Sequence, residues 1–88
     1  VINIPGMDSS KENGVSMYGD AYLERGMAVL SIDGPGQAES VTLDIFVTAT
    51  NHMDAALASY DWLNKHPAID IDNLAIRGTS FGTFWGLQ

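Results

Sequence analysis

Apolar positions along this chain fall into three short runs, and segments with helical spacing follow them. Val1-Ile2-Asn3-Ile4 is a β-branched run closed by Pro5-Gly6, which reads as a strand and its turn. Met27-Ala28-Val29-Leu30-Ser31-Ile32 is apolar at nearly every position. That pattern suits a strand covered on both faces, as in a parallel sheet. Leu74-Ala75-Ile76-Arg77 reads as a third, buried strand.

The intervening segments change period. Ser9-Ser10-Lys11-Glu12 fits a capping box, with Ser9 as N-cap and Glu12 at the third helical position. The spacing of Val15, Tyr18 and Tyr22 predicts a helix to about Arg25, where Gly26 ends it. Gly14 and Gly19 each cost that helix roughly 1 kcal/mol against alanine. A longer helix is predicted from about Ile45 to His66, capped by Asp44 or Thr42 and stopped by Pro67. Its apolar stripe is Phe46, Ala49, Met53, Ala56, Leu57, Tyr60 and Leu63, with Asn51, Asp54, Ala58, Asp61 and Lys65 away from it. Thr83-Phe84-Trp85-Gly86-Leu87 reads as the start of a last helix. Trp62 and Trp85 are expected to pack helices on the sheet.

Strand and helix thus alternate three times. Right-handed crossovers make the strands parallel and put helices on the faces. The fold class is α/β, one domain over residues 1–88, with an incomplete sheet. The chain opens on a strand-like run and stops about two turns into a helix, so it is expected to be a piece of a larger domain. Two sheet edges lack partners, and the segment alone is not expected to be a stable monomer.

Charge and composition narrow the function. A formal net charge of -7 with only four basic residues argues against nucleic-acid binding. The acids are scattered singly and do not argue for a cationic substrate. No apolar run reaches the roughly 18 residues of a membrane span. Cysteine is absent, which excludes disulfides and thiolate metal sites and favours a reducing, cytoplasmic setting. Asp70 and Asp72 are too few oxygens for a calcium loop, and no metal or cofactor is assigned. Gly34-Pro35-Gly36 lacks the glycine-lysine signatures of a phosphate loop, and Pro35 removes an N–H that such a cradle would use.

The chemistry concentrates at Gly78-Thr79-Ser80-Phe81-Gly82, a Gly-x-Ser-x-Gly run between a predicted strand and a predicted helix. That context suits a nucleophile elbow, with Ser80 at the tip of a turn too tight for side chains. Gly78 and Gly82 flank it where a Cβ would meet neighbouring backbone. A helix N-terminus behind Ser80 would favour an anion formed there. Asp33 ends the second strand on the same rim as Ser80. It is expected to accept N–H bonds from the Gly34–Gln37 turn and hold that loop, a structural role shared with Gly34 and Gly36. Glu39 and Ser40 line the pocket mouth or face water.

With these elements in place, the chain resembles the middle of an α/β-hydrolase, from its third strand through the nucleophile elbow. Gly6-Met7-Asp8-Ser9-Ser10-Lys11-Glu12, Arg25-Gly26-Met27-Ala28, Asp33-Gly34-Pro35-Gly36-Gln37 and Gly78-Thr79-Ser80-Phe81-Gly82 are similar to the fermentation/respiration-switch-protein-like esterases. That group includes the 2,6-dihydroxypseudooxynicotine hydrolases and fungal hydrolases that shorten polyketide chains. Ala38 departs from the pattern, standing where a glycine is common, and the loop before the long helix is short. The resemblance implies that Ser80 is the nucleophile. It also implies that the N–H groups of Phe81 and Met7 form the oxyanion hole, with Gly6 keeping the approach open.

In such a fold the acid and then the histidine follow the serine. His52 and His66 both precede Ser80, so neither is expected to be the base. His52 is expected on the surface and His66 at the end of the helix dipole. The implied activity is acyl-enzyme hydrolysis of an ester, an acyl compound or an activated carbon–carbon bond next to a carbonyl. The substrate is a small carbonyl compound, and the segment alone is inactive. A non-catalytic hydrolase-like protein and a nucleotide- or cofactor-binding doubly wound domain are the alternatives. A homo-oligomer of the full protein stays open.

Overall fold

The computed structural model describes residues 1–18 and 21–88, Val15 and Tyr18 through their backbone only. Three parallel strands form one sheet in the order β2-β1-β3, where β1 is Ile2–Ile4, β2 is Leu30–Ser31 and β3 is Ile76–Gly78. Ile2 pairs with Leu30 on one side and with Ile76 on the other; Asn3 pairs with Ser31 and Arg77. The strands are shorter than their apolar runs: Met27 to Val29 and Ile32 lie outside the ladder.

Helices cover both faces, as the strand order requires. The step from β1 to β2 and the step from β2 back past β1 to β3 run in opposite directions. Both can be right-handed only on opposite faces. On one face lies α1, Lys11–Tyr18. Its Gly14 comes so close to the sheet that a Cβ would stand 2.6 Å from Asn3 Nδ2. On the other lie α3, Asn51–Asn64, and α4, Phe81–Gly86. There Ile2, Ile4 and Leu63 are buried, with Leu30, Ile32, Ile69, Ile71 and Leu74 against them. Each buried aliphatic side chain contributes about 1.5–3 kcal/mol of transfer free energy.

Asn3 points to the α1 face, is 3% exposed, and sits in a polar row across the sheet. Its Nδ2 donates to Ser31 Oγ at 3.3 Å, and its Oδ1 accepts from Arg77 Nη1 at 2.8 Å. A buried amide is tolerable because its polar atoms have partners.

Three helical expectations are corrected. First, α1 begins at Lys11, so Glu12 is the second helical residue and the capping box on Ser9 does not form. Ser9 Oγ instead accepts from Asn13 Nδ2 at 2.9 Å. Of the expected face, the side chains of Val15 and Tyr18 lie outside the described ones, as does Gly19, while Tyr22 stands in a turn beyond the end of α1 and is not part of that helix. A separate 3-10 turn, Leu23–Arg25, ends on Gly26 at φ 74°.

Second, the helix predicted from Ile45 to His66 is divided. A five-residue α2, Ala38–Thr42, comes first, and α3 starts only at Asn51. Asp44 turns the chain at φ 57°. The Asn51 amide then accepts from Thr48 N–H at 2.9 Å and donates to the Phe46 carbonyl at 2.8 Å. Such local bonds compete with the helical ladder.

Third, the predicted stripe does not face the core. Met53, Leu57 and Tyr60 are 42, 56 and 44% exposed, and Leu63 alone of the stripe is buried. Among the described residues no helix is long and apolar enough to cross a membrane.

Candidate active site at the carboxyl edge of the sheet

Parallel strands deliver their carboxyl ends to one rim, where loops carry functional groups. Here β1 leads into Pro5-Gly6-Met7, β2 into Asp33 to Gln37, and β3 into Thr79-Ser80. Ser80 is the last residue before α4 and is solvent-exposed, with φ 54° and ψ -123°. This is a backbone conformation that residues with a Cβ avoid. The turn is closed by Gly82 N–H to Thr79 O at 2.9 Å and Thr83 N–H to Ser80 O at 3.0 Å.

The flanking glycines explain how the turn fits. A Cβ on Gly78 would stand 2.5 Å from Gly82 O and from Thr83 backbone. A Cβ on Gly82 would stand 2.4 Å from the carbonyl oxygens of Ile4 and Pro5. Gly6 abuts the serine: a Cβ there would lie 3.2 Å from Ser80 Cβ and 3.8 Å from Oγ. The β1 loop therefore touches the Ser80 turn, and Met7 follows directly. Met7 and Phe81 are both exposed. Among the described residues no hydrogen bond uses the N–H of either.

Asp33 holds the rim, but not by the expected bonds. Its carboxylate accepts from Lys11 N–H at 2.7 Å and from Lys11 Nζ at 3.0 Å, at the start of α1. Glu39 and Glu12 also pair with Lys11 Nζ. The carboxylates of Glu39, Asp33 and Glu12 hold the ammonium above the ordinary lysine range. Glu12 is held down at about 2, first by the Ser10 hydroxyl, then by its own N–H and by Lys11.

Gln37 does for the Gly34 turn what Asp33 was expected to do. It is 4% exposed; its Oε1 accepts from Gly34 N–H at 2.9 Å. Its Nε2 donates to Pro5 O at 2.8 Å and to Gly6 O at 3.3 Å. Gly36, at φ 74°, donates its N–H to Ile45 O at 2.8 Å, and Val47 packs where its Cβ would be.

His52 is not on the surface as expected. Its ring stacks on Trp85 at 3.8 Å with 6° between planes, and a Cβ on Gly34 would collide with it. Nε2 is enclosed and has no hydrogen-bond partner among the described residues, while a bond to the Pro35 backbone engages the ring. Burial pushes its pKa below 6.5, more than the Pro35 bond raises it. Trp85 thus packs against His52, Phe81 and Phe84, and Trp62 is largely exposed and tilts against His66. Among the described residues no hydrogen bond joins Ser80 to either histidine.

A cavity of about 490 Å³ opens at the other end of the sheet, between Val1, Met27 to Leu30, Trp62, Leu63 and Leu74. It is remote from Ser80 and belongs to the amino ends of the strands.

Comparison with known proteins points to hydrolases. The chain is 34% identical over its full length to a 2,6-dihydropseudooxynicotine hydrolase of Paenarthrobacter nicotinovorans, covering 23% of that protein. It is 33% identical over its full length to the hydrolase LUC6 of a Fusarium species, covering 22%. The chain spans less than a quarter of the length of these curated relatives. No family model and no solved structure matches it.

Proposed function

We propose that the chain carries the nucleophile of a serine-dependent α/β-hydrolase. In this reading Ser80 Oγ attacks the carbonyl of an ester, an acyl compound or an activated carbon–carbon bond, and water releases the acyl-enzyme. The observation that carries it is the Ser80 backbone, at φ 54° and ψ -123° between a strand and a helix. That conformation costs about 1–3 kcal/mol for a residue with a Cβ. A turn with no use for the hydroxyl would be better served by glycine. The two hydrolases similar to the chain over its whole length support the reading.

Phe81 N–H and Met7 N–H are the oxyanion donors, each worth about 3 kcal/mol to a tetrahedral intermediate. Gly78 and Gly82 let the turn close, and Gly6 lets the Met7 peptide approach. The acid and base lie outside these 88 residues, so the segment alone does not turn over substrate. The substrate is a small carbonyl compound, and the chemistry calls for no cofactor.

The full-length protein should label with a fluorophosphonate, and Ser80→Ala should abolish the label. Ser80→Gly should also be unlabelled, yet resist denaturant by about 1 kcal/mol more than wild type because the backbone strain is relieved. Labelling that survives both substitutions would move the nucleophile elsewhere.

A further inference from the structure

Gln37 belongs to neither the Ser80 turn nor the Met7 loop, yet its carboxamide spans the rim. Three partners fix its orientation. Gly34 N–H needs an acceptor, and the carbonyls of Pro5 and Gly6 need donors. Only one placement of oxygen and nitrogen satisfies all three. The residue is buried, so water does not substitute for these bonds.

The Gly6 carbonyl shares its peptide unit with the Met7 N–H. In a trans peptide the two point in opposite directions. Whatever fixes the Gly6 oxygen therefore aims the Met7 N–H. Gln37 Nε2 at 3.3 Å and Ser9 N–H at 3.1 Å both hold that oxygen. The Pro5 oxygen accepts from Gln37 Nε2 and lies where a Cβ on Gly82, in the helix that follows Ser80, would collide with it. The same carboxamide thus seats two successive peptides of the β1 loop against the serine turn.

We propose that Gln37 is a positioning residue that holds the Met7 N–H beside Ser80 for the negative charge of the tetrahedral intermediate. The assignment rests on the Ser80 reading above. Gln37 touches no reacting atom; it acts through the Pro5-Gly6-Met7 backbone.

The test uses the full-length protein, a p-nitrophenyl ester as substrate and a trifluoromethyl ketone, whose serine adduct carries the anionic oxygen. Gln37→Met keeps the side-chain length but cannot donate. It should lower kcat by about 30-fold, less than the 100- to 1,000-fold lost when a donor is deleted outright. KM should stay within about threefold, and ketone affinity should weaken in step with kcat/KM. Loss of kcat without loss of ketone affinity, or no loss of either, overturns the proposal.

Gln37→Glu gives a readout that a packing role would not produce. Protonated, it presents one donor and one acceptor like the amide; ionised, it sets a carboxylate against two carbonyls. Its kcat/KM relative to wild type should fall at least about tenfold between about pH 5 and about pH 8. Lys11, Asp33, Glu39 and His52 neighbour the site in both proteins, so the ratio isolates residue 37. A variant that recovers nothing at the acid end, or a flat ratio, overturns the assignment even if Gln37→Met fails to fold. Ser80→Ala separates the two claims. If it still hydrolyses the ester, the nucleophile is misplaced. If it is inactive while Gln37→Met behaves as wild type, only the role of Gln37 fails.

Discussion

Single side chains on this rim are set by partners far away in the chain. His52 is the clearest case with a pH consequence. Burial against Trp85 and Gly34 lowers its pKa below 6.5, so the folded state favours the neutral ring. The unfolded chain takes up a proton first as pH falls, and that difference destabilises the fold below the unfolded pKa. The denaturation midpoint of the full-length protein should drop between about pH 7.5 and about pH 5.5, and His52→Phe should flatten that drop. Glu12 has the opposite cause and a separate window: its depressed carboxyl supports the fold above about 4.5 and loses that support towards about 2. An unchanged slope in His52→Phe would place the titrating group elsewhere. Ser80 and its glycines were legible because their turn is written in five consecutive residues. Gln37 and Asn3 were not, because their bonds reach 32 and 74 positions along the chain. The Asp33 carboxylate bonds Lys11, 22 residues earlier, where its place in the sequence suggests a partner in the loop that follows it.

At the scale of elements, alternation of strand and helix was legible, while lengths and faces were not. The run from Met27 to Ile32 is apolar enough for a six-residue strand, yet only Leu30 and Ser31 join the ladder. The long helix failed at its amino end. Thr48 and Asn51 bond locally, and Gly36 draws the Ile45–Val47 segment back onto the loop. Its apolar stripe faces outward because both faces of α3 carry side chains able to pack. Asn51, His52, Ala55, Ser59 and Leu63 turn inward at helical steps, and three of the five are polar. The packing of α4 gives a prediction at this scale. Gly82 lies against the carbonyls of Ile4 and Pro5, so a methyl group must displace backbone. Gly82→Ala should destabilise the full-length protein by about 2–3 kcal/mol and weaken fluorophosphonate labelling, despite alanine's higher helix propensity. A variant as stable as wild type would show that α4 can shift freely on the sheet.

The whole molecule shows how little of its apolar surface these 88 residues can cover by themselves. Its accessible surface is 5826 Å², against about 5,050 Å² for a compact monomer of this mass. Phe46, Leu57, Trp62 and Phe84 are all more than half exposed, and among the described residues β2 and β3 each pair on one side only. Residues 1–88 expressed alone should show no cooperative thermal transition and should bind a hydrophobic dye such as ANS. A sharp two-state melt would refute this. The strand order has a further consequence, for biosynthesis. The middle strand leaves the ribosome first, and its second partner is completed 47 residues after the first, from Ser31 to Gly78. At about 5–20 residues per second, that is a wait of roughly 2–9 s. Through that interval one flank of Ile2–Ile4 offers unmatched amides to any passing nascent chain, and a chaperone that binds extended apolar peptides would find its target there.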